Sequence, residues 1–200
     1  MTPQQLSYTQ SDRLYLNITD RCTLDCIFCP KNRGIWMAGE YDLTLDHRPS
    51  VEEILDSLSH PEDYREVVFC GYGEPTLRLN VLIAVAREIK QRGGMVRVDT
   101  DGLANLVHKY DVLPELASCV DVISVSMHAQ DAATYDRICL PGLPGSYEKM
   151  LEFLTLAPRY IKDVWATAIE GIEGVDIDAC RKIAEGLGVT FIPRTLDCIL

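Results

Sequence analysis

The sequence has no long hydrophobic run, no leader-like N-terminus and no excess of basic residues. None of its apolar runs approaches the ~18 residues of a membrane-spanning helix, so no membrane anchor is expected. Residues 1–5 contain neither a basic nor an apolar stretch, and a secretory signal is not expected. The 19 basic residues are outnumbered by 30 acidic ones, and the net charge of −11 would repel nucleic-acid phosphates. We therefore expect a cytoplasmic protein that does not bind nucleic acid.

Regular alternation of strand and helix patterns is the main feature of the chain. With 200 residues, 47% of them hydrophobic, residues 1–200 are expected to form a single globular domain. The length is short for a closed eight-fold β/α barrel, which needs about 250 residues. Strand patterns cover residues 14–19 and start again near Glu66, Met95, Val120, Val164 and Thr190. Helical patterns separate them, which predicts an α/β fold with six parallel strands, either a partial barrel or an open curved sheet.

The stretch between Cys29 and Ser50 interrupts this alternation. It is twenty residues long and shows no clear helix, and such loops are often functional or mobile. We predict that residues 31–49 become ordered when a partner or substrate binds. The basic and aromatic side chains of this loop either clamp an anionic or aromatic substrate or simply solvate the loop; they are Lys31, Arg33, Trp36, Tyr41 and His47.

The strongest chemical signal is the C-x-x-x-C-x-x-C spacing of Cys22, Cys26 and Cys29. Three thiolates from one loop can ligate three irons of a [4Fe–4S] cluster and leave the fourth iron open. A zinc site completed by a distant residue and a chance grouping of cysteines are the alternatives. Of the eight cysteines, Cys70 and Cys180 are interpreted as small core residues.

A second signal is the run Gly71-Tyr72-Gly73-Glu74-Pro75 directly after a strand. Glycines at a strand end let the backbone approach a ligand closely, and the Glu74 carboxylate suits an ammonium group. The alternative is a simple turn. Arg194, at the end of the last strand, either faces the same cavity or forms a salt bridge.

These motifs together resemble the radical S-adenosylmethionine (SAM) superfamily. Cys22, Cys26 and Cys29, with Phe28 before the last cysteine, are similar to its cluster motif, and Gly71–Glu74 is similar to its Gly-Gly-Glu element apart from Tyr72. Residues 98–102 and 123–128 resemble its third- and fourth-strand segments. The resemblance implies a partial (β/α)6 TIM-like barrel that binds a [4Fe–4S] cluster and SAM. The residues implied to hold SAM are Phe28, Gly71, Gly73, Glu74, Thr100, Ser126 and His128.

The implied reaction is reductive cleavage of SAM to a 5′-deoxyadenosyl radical that acts on a small-molecule or nucleotide-like substrate. Such an enzyme needs an electron donor. Residues 71–78, 99–102 and 121–126 most resemble the TatD-associated radical SAM family, which is named for its link to a TatD-type hydrolase. An activase that installs a glycyl radical on a partner protein is one alternative. A non-enzymatic iron–sulfur protein for electron transfer or sensing is another.

Overall fold

The computed structural model describes residues 4–195. The strands are β1 Ser7–Gln10, β2 Arg13–Leu16, β3 Met37–Ala38, β4 Tyr41–Asp42, β5 Glu66–Phe69, β6 Val96–Thr100, β7 Val122–Ser126, β8 Asp163–Ile169 and β9 Thr190–Arg194. The α-helices are α1 Val51–Asp56, α2 Leu79–Gln91, α3 Ala104–His108, α4 Leu113–Leu116, α5 Ala132–Cys139, α6 Ser146–Leu156 and α7 Ile177–Gly186. Short 3-10 turns cover Pro30–Arg33, Pro61–Asp63, Pro75–Arg78 and Ala157–Arg159. None of the helices within residues 4–195 is long and apolar enough to cross a bilayer.

The main sheet has the order β1-β2-β5-β6-β7-β8-β9. Six of its strands are mutually parallel and lie side by side in chain order. They are β2, β5, β6, β7, β8 and β9. Helices cover the connections, which confirms the predicted α/β layout. Because all six strands run the same way, their carboxyl ends meet at one edge of the sheet, where ligands bind in folds of this kind.

Two elements were not predicted from the sequence. Strand β1 adds to the sheet antiparallel to β2, through a turn in which Ser11 has a φ of 57°. Its four residues, Ser7–Gln10, are mostly polar and too few to give a clear periodicity. The second element is the small β3–β4 hairpin within residues 31–49.

The segment expected to order on binding is folded in this structure by contacts within the chain. Asn17 Nδ2 donates to the Leu43 carbonyl at 2.9 Å, and Arg78 Nη1 donates to the Pro49 carbonyl at 2.6 Å. The Tyr72 hydroxyl donates to the Met37 carbonyl at 2.6 Å. These bonds hold the hairpin beside the carboxyl edge of the sheet.

The two faces of the sheet differ in chemistry because successive side chains of a strand point to opposite faces. On the helix-covered face, Val96 and Val98 of β6 belong to the main hydrophobic core. On the other face, Asp99 of β6 and Ser124 of β7 line a cavity. The helices bury their predicted stripes: on α2, residues Leu82, Val85, Ala86 and Ile89 are fully buried. The sheet therefore separates an apolar core from a polar inner surface.

Candidate active site

The three clustered cysteines lie on the loop that follows β2. Its backbone is fixed by the end of α5: Asp25 N donates to the Cys139 carbonyl at 3.0 Å, and Ile27 N donates to the Ile138 carbonyl at 2.9 Å. A tight turn joins two of the cysteines, with Cys29 N donating to the Cys26 carbonyl at 3.0 Å. Distant parts of the chain therefore hold the thiols at the carboxyl edge of the sheet.

The surroundings of these thiols oppose negative charge. Burial raises the pKa of Cys22, and the nearby Asp101 and Glu74 carboxyls raise it further. The neighbouring Cys139 thiol and burial raise the pKa of Cys26. Burial also raises the pKa of Cys29, although the adjacent Lys31 ammonium opposes this. The protein surroundings therefore favour the neutral thiols, and a ligand that binds the thiolates must displace their protons. The soft sulfur donors suit the irons of a cluster.

No group of three or more His, Cys, Asp or Glu side chains within residues 4–195 is arranged to hold a single metal ion.

The glycine-containing turn after β5 packs directly on the chain that leaves β2. A Cβ atom on Gly73 would overlap the Thr19 carbonyl oxygen, and Gly71 has a φ of 155° with Asn17 Oδ1 only 2.9 Å from where its Cβ would lie. Glu74 N donates to the Arg21 carbonyl at 2.7 Å. Glycine is therefore required at position 73, where two backbones approach closely, and favoured at position 71, where the φ is positive and the Asn17 side chain leaves little space.

Tyr72, the departure from the Gly-Gly-Glu pattern, fits because its side chain points toward the hairpin. Its ring meets Trp36 edge-on at 6.1 Å between centroids, and its hydroxyl reaches the Met37 carbonyl. The turn and the hairpin are thus joined through one side chain.

Glu74 is buried and accepts hydrogen bonds from its own turn after β5 and from the end of β6. Its Oε1 accepts from Thr76 N at 2.9 Å and from Thr100 Oγ1 at 2.8 Å, and its Oε2 accepts from Asp101 N at 2.7 Å. Burial and the adjacent Asp101 charge raise the pKa of Glu74 to about 8. Burial also raises the pKa of Asp101, which accepts a hydrogen bond from Thr23 beside Cys22. This network connects β5, β6 and the cysteine loop.

His128 lies two residues beyond β7 in a left-handed conformation, with a φ of 60°. Its backbone N donates to the Thr167 carbonyl at 3.0 Å, and its ring meets Phe28 edge-on at 4.9 Å between centroids. Its Nδ1 is buried and has no hydrogen-bond partner within residues 4–195. Burial and the nearby Arg194 charge lower the pKa of His128 to about 4. The imidazole is therefore neutral and retains one hydrogen-bonding position for a ligand.

All of the site residues proposed from the sequence line one cavity of about 270 Å³. They are Cys22, Cys26, Cys29, Phe28, Gly71, Gly73, Glu74, Thr100, Ser126 and His128. The Thr100 hydroxyl donates a hydrogen bond to Glu74 Oε1 at 2.8 Å. Ser126 is partly exposed at the end of β7.

Several lining residues were not recognised from the sequence. Cys70 was interpreted as a core residue, but it follows β5 and lines the cavity, where burial raises its pKa to about 12. Cys180 is buried as expected, whereas Cys198 lies outside the described residues. Asp99 and Ser124 also line the cavity. The period-two alternation Val96-Arg97-Val98-Asp99 was the signal that could have placed polar residues on the inner face.

A family model described as the Radical SAM superfamily matches residues 16–185. Over 144 residues the chain is 31% identical to a tungsten-containing aldehyde ferredoxin oxidoreductase cofactor-modifying protein of Pyrococcus furiosus, covering 70% of this chain and 38% of that protein. Over 126 residues it is 29% identical to a probable GTP 3′,8-cyclase of Thermoplasma volcanium, covering 63% of this chain and 35% of that protein. The chain thus spans little more than a third of these curated relatives.

Solved structures with the same fold include Streptococcus suis SuiB bound to the precursor peptide SuiA. The TM-score is 0.69 at 14% identity, over 92% of this chain and 39% of that one. TYW1 with a lysine–pyruvate adduct bound has a TM-score of 0.64 at 17% identity, over 92% of this chain and 64% of that one. SuiB bound to S-adenosylmethionine has a TM-score of 0.63 at 12% identity, over 91% and 38%. At these identities the likeness establishes the fold, a partial TIM barrel.

Proposed function

The chain belongs to the radical SAM superfamily of enzymes, and on that premise we propose that it removes a hydrogen atom from a substrate still to be identified. The family uses a [4Fe–4S] cluster and SAM, which together supply a 5′-deoxyadenosyl radical when both are bound. The observation that carries the proposal is the convergence of three clustered thiols, a glycine-lined turn and a neutral histidine on one cavity.

Cys22, Cys26 and Cys29 are the proposed cluster ligands. They are the donors that the α5 contacts fix at the carboxyl edge, and cluster binding would replace their protons. Cys139 and Cys70 lie close by but on other elements, and we assign them no ligand role. Three protein ligands leave one iron open for a cofactor.

Gly71, Gly73 and Glu74 are the proposed residues for the methionine end of SAM. The two glycines border the cavity, and we assign the Glu74 carboxyl, which also lines it, as the acceptor for the ammonium group of SAM. The hydrogen bonds that Glu74 accepts from Thr76, Thr100 and Asp101 orient this carboxyl group. We propose that Thr100 acts mainly through this network.

Ser126, His128 and Phe28 are proposed to hold the remaining parts of SAM. Ser126 carries a hydroxyl at the end of β7, and His128 has an unpaired Nδ1 within the described chain. Phe28 is buried against His128 and directly precedes Cys29, which supports a role for its ring beside the proposed SAM site. The hairpin residue Leu43, also buried, lines the cavity and limits the entry of water.

Within the superfamily, we propose the TatD-associated family on the residues 71–78, 99–102 and 121–126. That assignment carries a functional link to a TatD-type hydrolase and a requirement for an electron donor. The substrate class is a small or nucleotide-like molecule, and the relatives' own substrates are not transferred because the chain covers so little of their length.

The test is SAM binding to the reconstituted protein, with iron and sulfide content checked first. Glu74→Ala should weaken SAM binding roughly ten- to a hundred-fold, since lost charge-assisted hydrogen bonds cost ~1.5–3 kcal/mol. Ser126→Ala should weaken it less, and Glu185→Ala on the exposed face of α7 is the control. If Glu74 only shapes a turn, its removal would lower stability and leave SAM affinity unchanged. Unchanged affinity in both variants at full cluster occupancy would refute the assignment.

Reduction with dithionite in the presence of SAM tests the reaction itself. Formation of 5′-deoxyadenosine supports an enzyme. Its absence from a protein that retains the full cluster favours the electron-transfer or sensing alternative. A glycyl radical formed on an added partner protein would favour the activase.

A further inference from the structure

A chain of buried ionic contacts crosses the inner face of the sheet. We call this set of residues the inner ion chain; its members are Arg13, Glu66, Arg97, Asp99 and Arg194. Glu66 Oε1 is 2.5 Å from Arg13 Nε and 3.0 Å from Arg97 Nη1. Asp99 Oδ1 is 3.1 Å from Arg97 Nε. The side chains of Glu66 and Arg97 are almost completely buried, so these charges depend on one another for compensation.

The two ends of this chain differ in how well their arginines are paired. Arg13 binds Glu66 closely and also lies 3.2 Å from the exposed Asp12. Arg194 has only the far oxygen of Asp99, at 3.9 Å, and that carboxylate is already shared with Arg97. The other polar contact of its side chain within residues 4–195 is a 3.4 Å hydrogen bond from Nη2 to Ser124 Oγ. The guanidinium of Arg194 therefore lacks a close counter-ion in the described part of the chain.

Arg194 is also the member of the inner ion chain that a ligand can reach. Its side chain is 31% exposed, against 6% for Arg97, and it lines the cavity together with Asp99 and Ser124. Because Arg194 ends β9 and yet reaches β6 and β7, the sheet curves and its inner face is concave. Its charge adds to the lowering of the pKa of His128 and opposes the rise in the pKa of Cys70, consistent with positive potential inside the cavity.

Two stacked tyrosine rings lie at the opposite end of this concave face, on β1 and β2. Tyr8 of β1 and Tyr15 of β2 are stacked at 5.3 Å between centroids, with an angle of 18° between their planes, and both line the cavity. A molecule lying across the inner face would therefore meet an arginine at one end and apolar rings at the other.

We propose that the substrate carries an oxyanion, a carboxylate or a phosphate, that Arg194 and Ser124 bind at the β9 end of the cavity. Arginine is suited to this role because its planar donors match both groups in two-point hydrogen bonds. The inference rests on the proposed function, because it takes the molecule at this position to be the substrate of that reaction and not SAM.

The experiment uses the anaerobically reconstituted protein saturated with SAM and probes it with sodium acetate and with inorganic phosphate. The readout is the half-saturating concentration of each anion, measured by isothermal titration calorimetry. Sodium chloride at the same ionic strength and neutral acetamide are the reference solutes. Arg194→Gln should raise the half-saturating concentration at least tenfold, and Ser124→Ala two- to five-fold. Arg159→Gln, which changes an exposed arginine, should leave it unchanged.

The anion with the lower half-saturating concentration identifies the group on the substrate. Tighter binding of acetate indicates a carboxylate, and tighter binding of inorganic phosphate indicates a phosphate. An anion response that persists in both Arg194→Gln and Ser124→Ala would overturn the proposal. A tenfold or greater loss of SAM affinity in Arg194→Gln would also overturn it, because Arg194 would then bind SAM and not the substrate. The proposed function fails separately, through absence of 5′-deoxyadenosine from the wild-type protein, since anion binding requires no SAM cleavage.

Discussion

The carboxyl edge of the sheet and its inner face border the same cavity but differ in how their buried acidic groups are compensated. At the edge, Cys22, Cys26, Glu74 and Asp101 all have raised pKa values. Burial raises all four, nearby carboxyl charges add to the effect at Cys22 and Glu74, and the Cys139 thiol adds to it at Cys26. On the inner face, Glu66 and Asp99 lie between arginines and are compensated by direct contacts. The edge thus favours arrival of a positively charged group, whereas the inner face, ending in Arg194, favours an anion.

The comparison also separates function from stability. The acids of the edge have few cations beside them, so their charged forms depend on a ligand. Within the inner ion chain, the charges of Glu66, Arg97 and Asp99 compensate one another, although Arg97 Nε and Asp99 Oδ1 form no hydrogen bond within residues 4–195. Most of the inner ion chain is therefore expected to stabilise the fold. Substitutions at the edge should therefore affect ligands first, and those within the ion chain should affect folding first.

The largest effect is expected from the edge cysteines. Replacing Cys22, Cys26 and Cys29 together with Ala should abolish the cluster, since no sulfur donor of that loop remains. Iron and acid-labile sulfide content of the anaerobically reconstituted protein is the measurement. Cys139→Ala and Cys70→Ala are the matched controls, because both thiols lie near the site on other elements and should leave the cluster in place. A full cluster in the triple variant would show that the ligands lie elsewhere.

The next effect concerns the inner ion chain. Arg97→Met should lower the free energy of unfolding by about 3–5 kcal/mol, because it leaves Glu66 and Asp99 buried with reduced compensation. Urea unfolding of the protein measures this. Arg92→Met removes a partly exposed pair with Glu88 on α2 and should cost less than about 1 kcal/mol. Equal costs for the two variants would mean that burial gives the ion chain no special role.

A smaller, pH-dependent effect is expected at His128, where edge and inner face meet. Its pKa is about 4 in the folded chain and ordinarily about 6.5, so the folded state disfavours the proton. The resulting stability is present above pH 6.5 and is lost as the pH falls toward 4. Between pH 7.5 and pH 5, the wild type should lose about 1–2 kcal/mol more than His128→Asn, in which asparagine tolerates the left-handed backbone.

Urea unfolding of the cluster-free, reduced protein at the two pH values tests this, and the difference between the variants removes the contribution of the other titrating groups. If both proteins lose the same free energy of unfolding between the two pH values, the surroundings of His128 do not hold it neutral.

The smallest effect is expected where the hairpin meets the edge. Tyr72→Phe removes only the hydroxyl that bonds the Met37 carbonyl, which is worth about 0.5–1.5 kcal/mol. Hydrogen exchange of the hairpin amides should accelerate about two- to ten-fold, while exchange in β6 and β7 stays the same. Repeating the measurement with a substrate tests whether residues 31–49 gain further order on binding. Exchange unchanged by the substitution would show that other contacts alone hold the hairpin.

The sequence predicted the fold well because its signals are local. Parallel strands buried on both faces give continuous apolar runs such as Val67 to Phe69, and helices show their stripes and caps, as with Ser50 and Glu53 at α1. Strand β1 and the β3–β4 hairpin were missed because short polar strands give no strong periodicity. Their stability comes from contacts with residues distant in the sequence.

The sequence also indicated that the three clustered cysteines and the glycine-containing turn would share one cavity, because their spacing places each directly after a strand of the same sheet. The sequence could not indicate that Glu74 would accept hydrogen bonds from Thr100 and Asp101, or that Cys70 would line the cavity. Arg194 was left between a cavity role and a salt bridge, and the structure gives it a place in both.

The sequence by itself determined the order of the strands and helices and the residues that can carry cluster and cofactor chemistry, since periodicity, turn chemistry and motif spacing act over a few residues. Only the tertiary structure decided which side chains share the cavity and how they are charged. Burial and ion pairing depend on neighbours that the curved sheet brings together, as it does with Asp99 and Arg194, which are far apart along the chain.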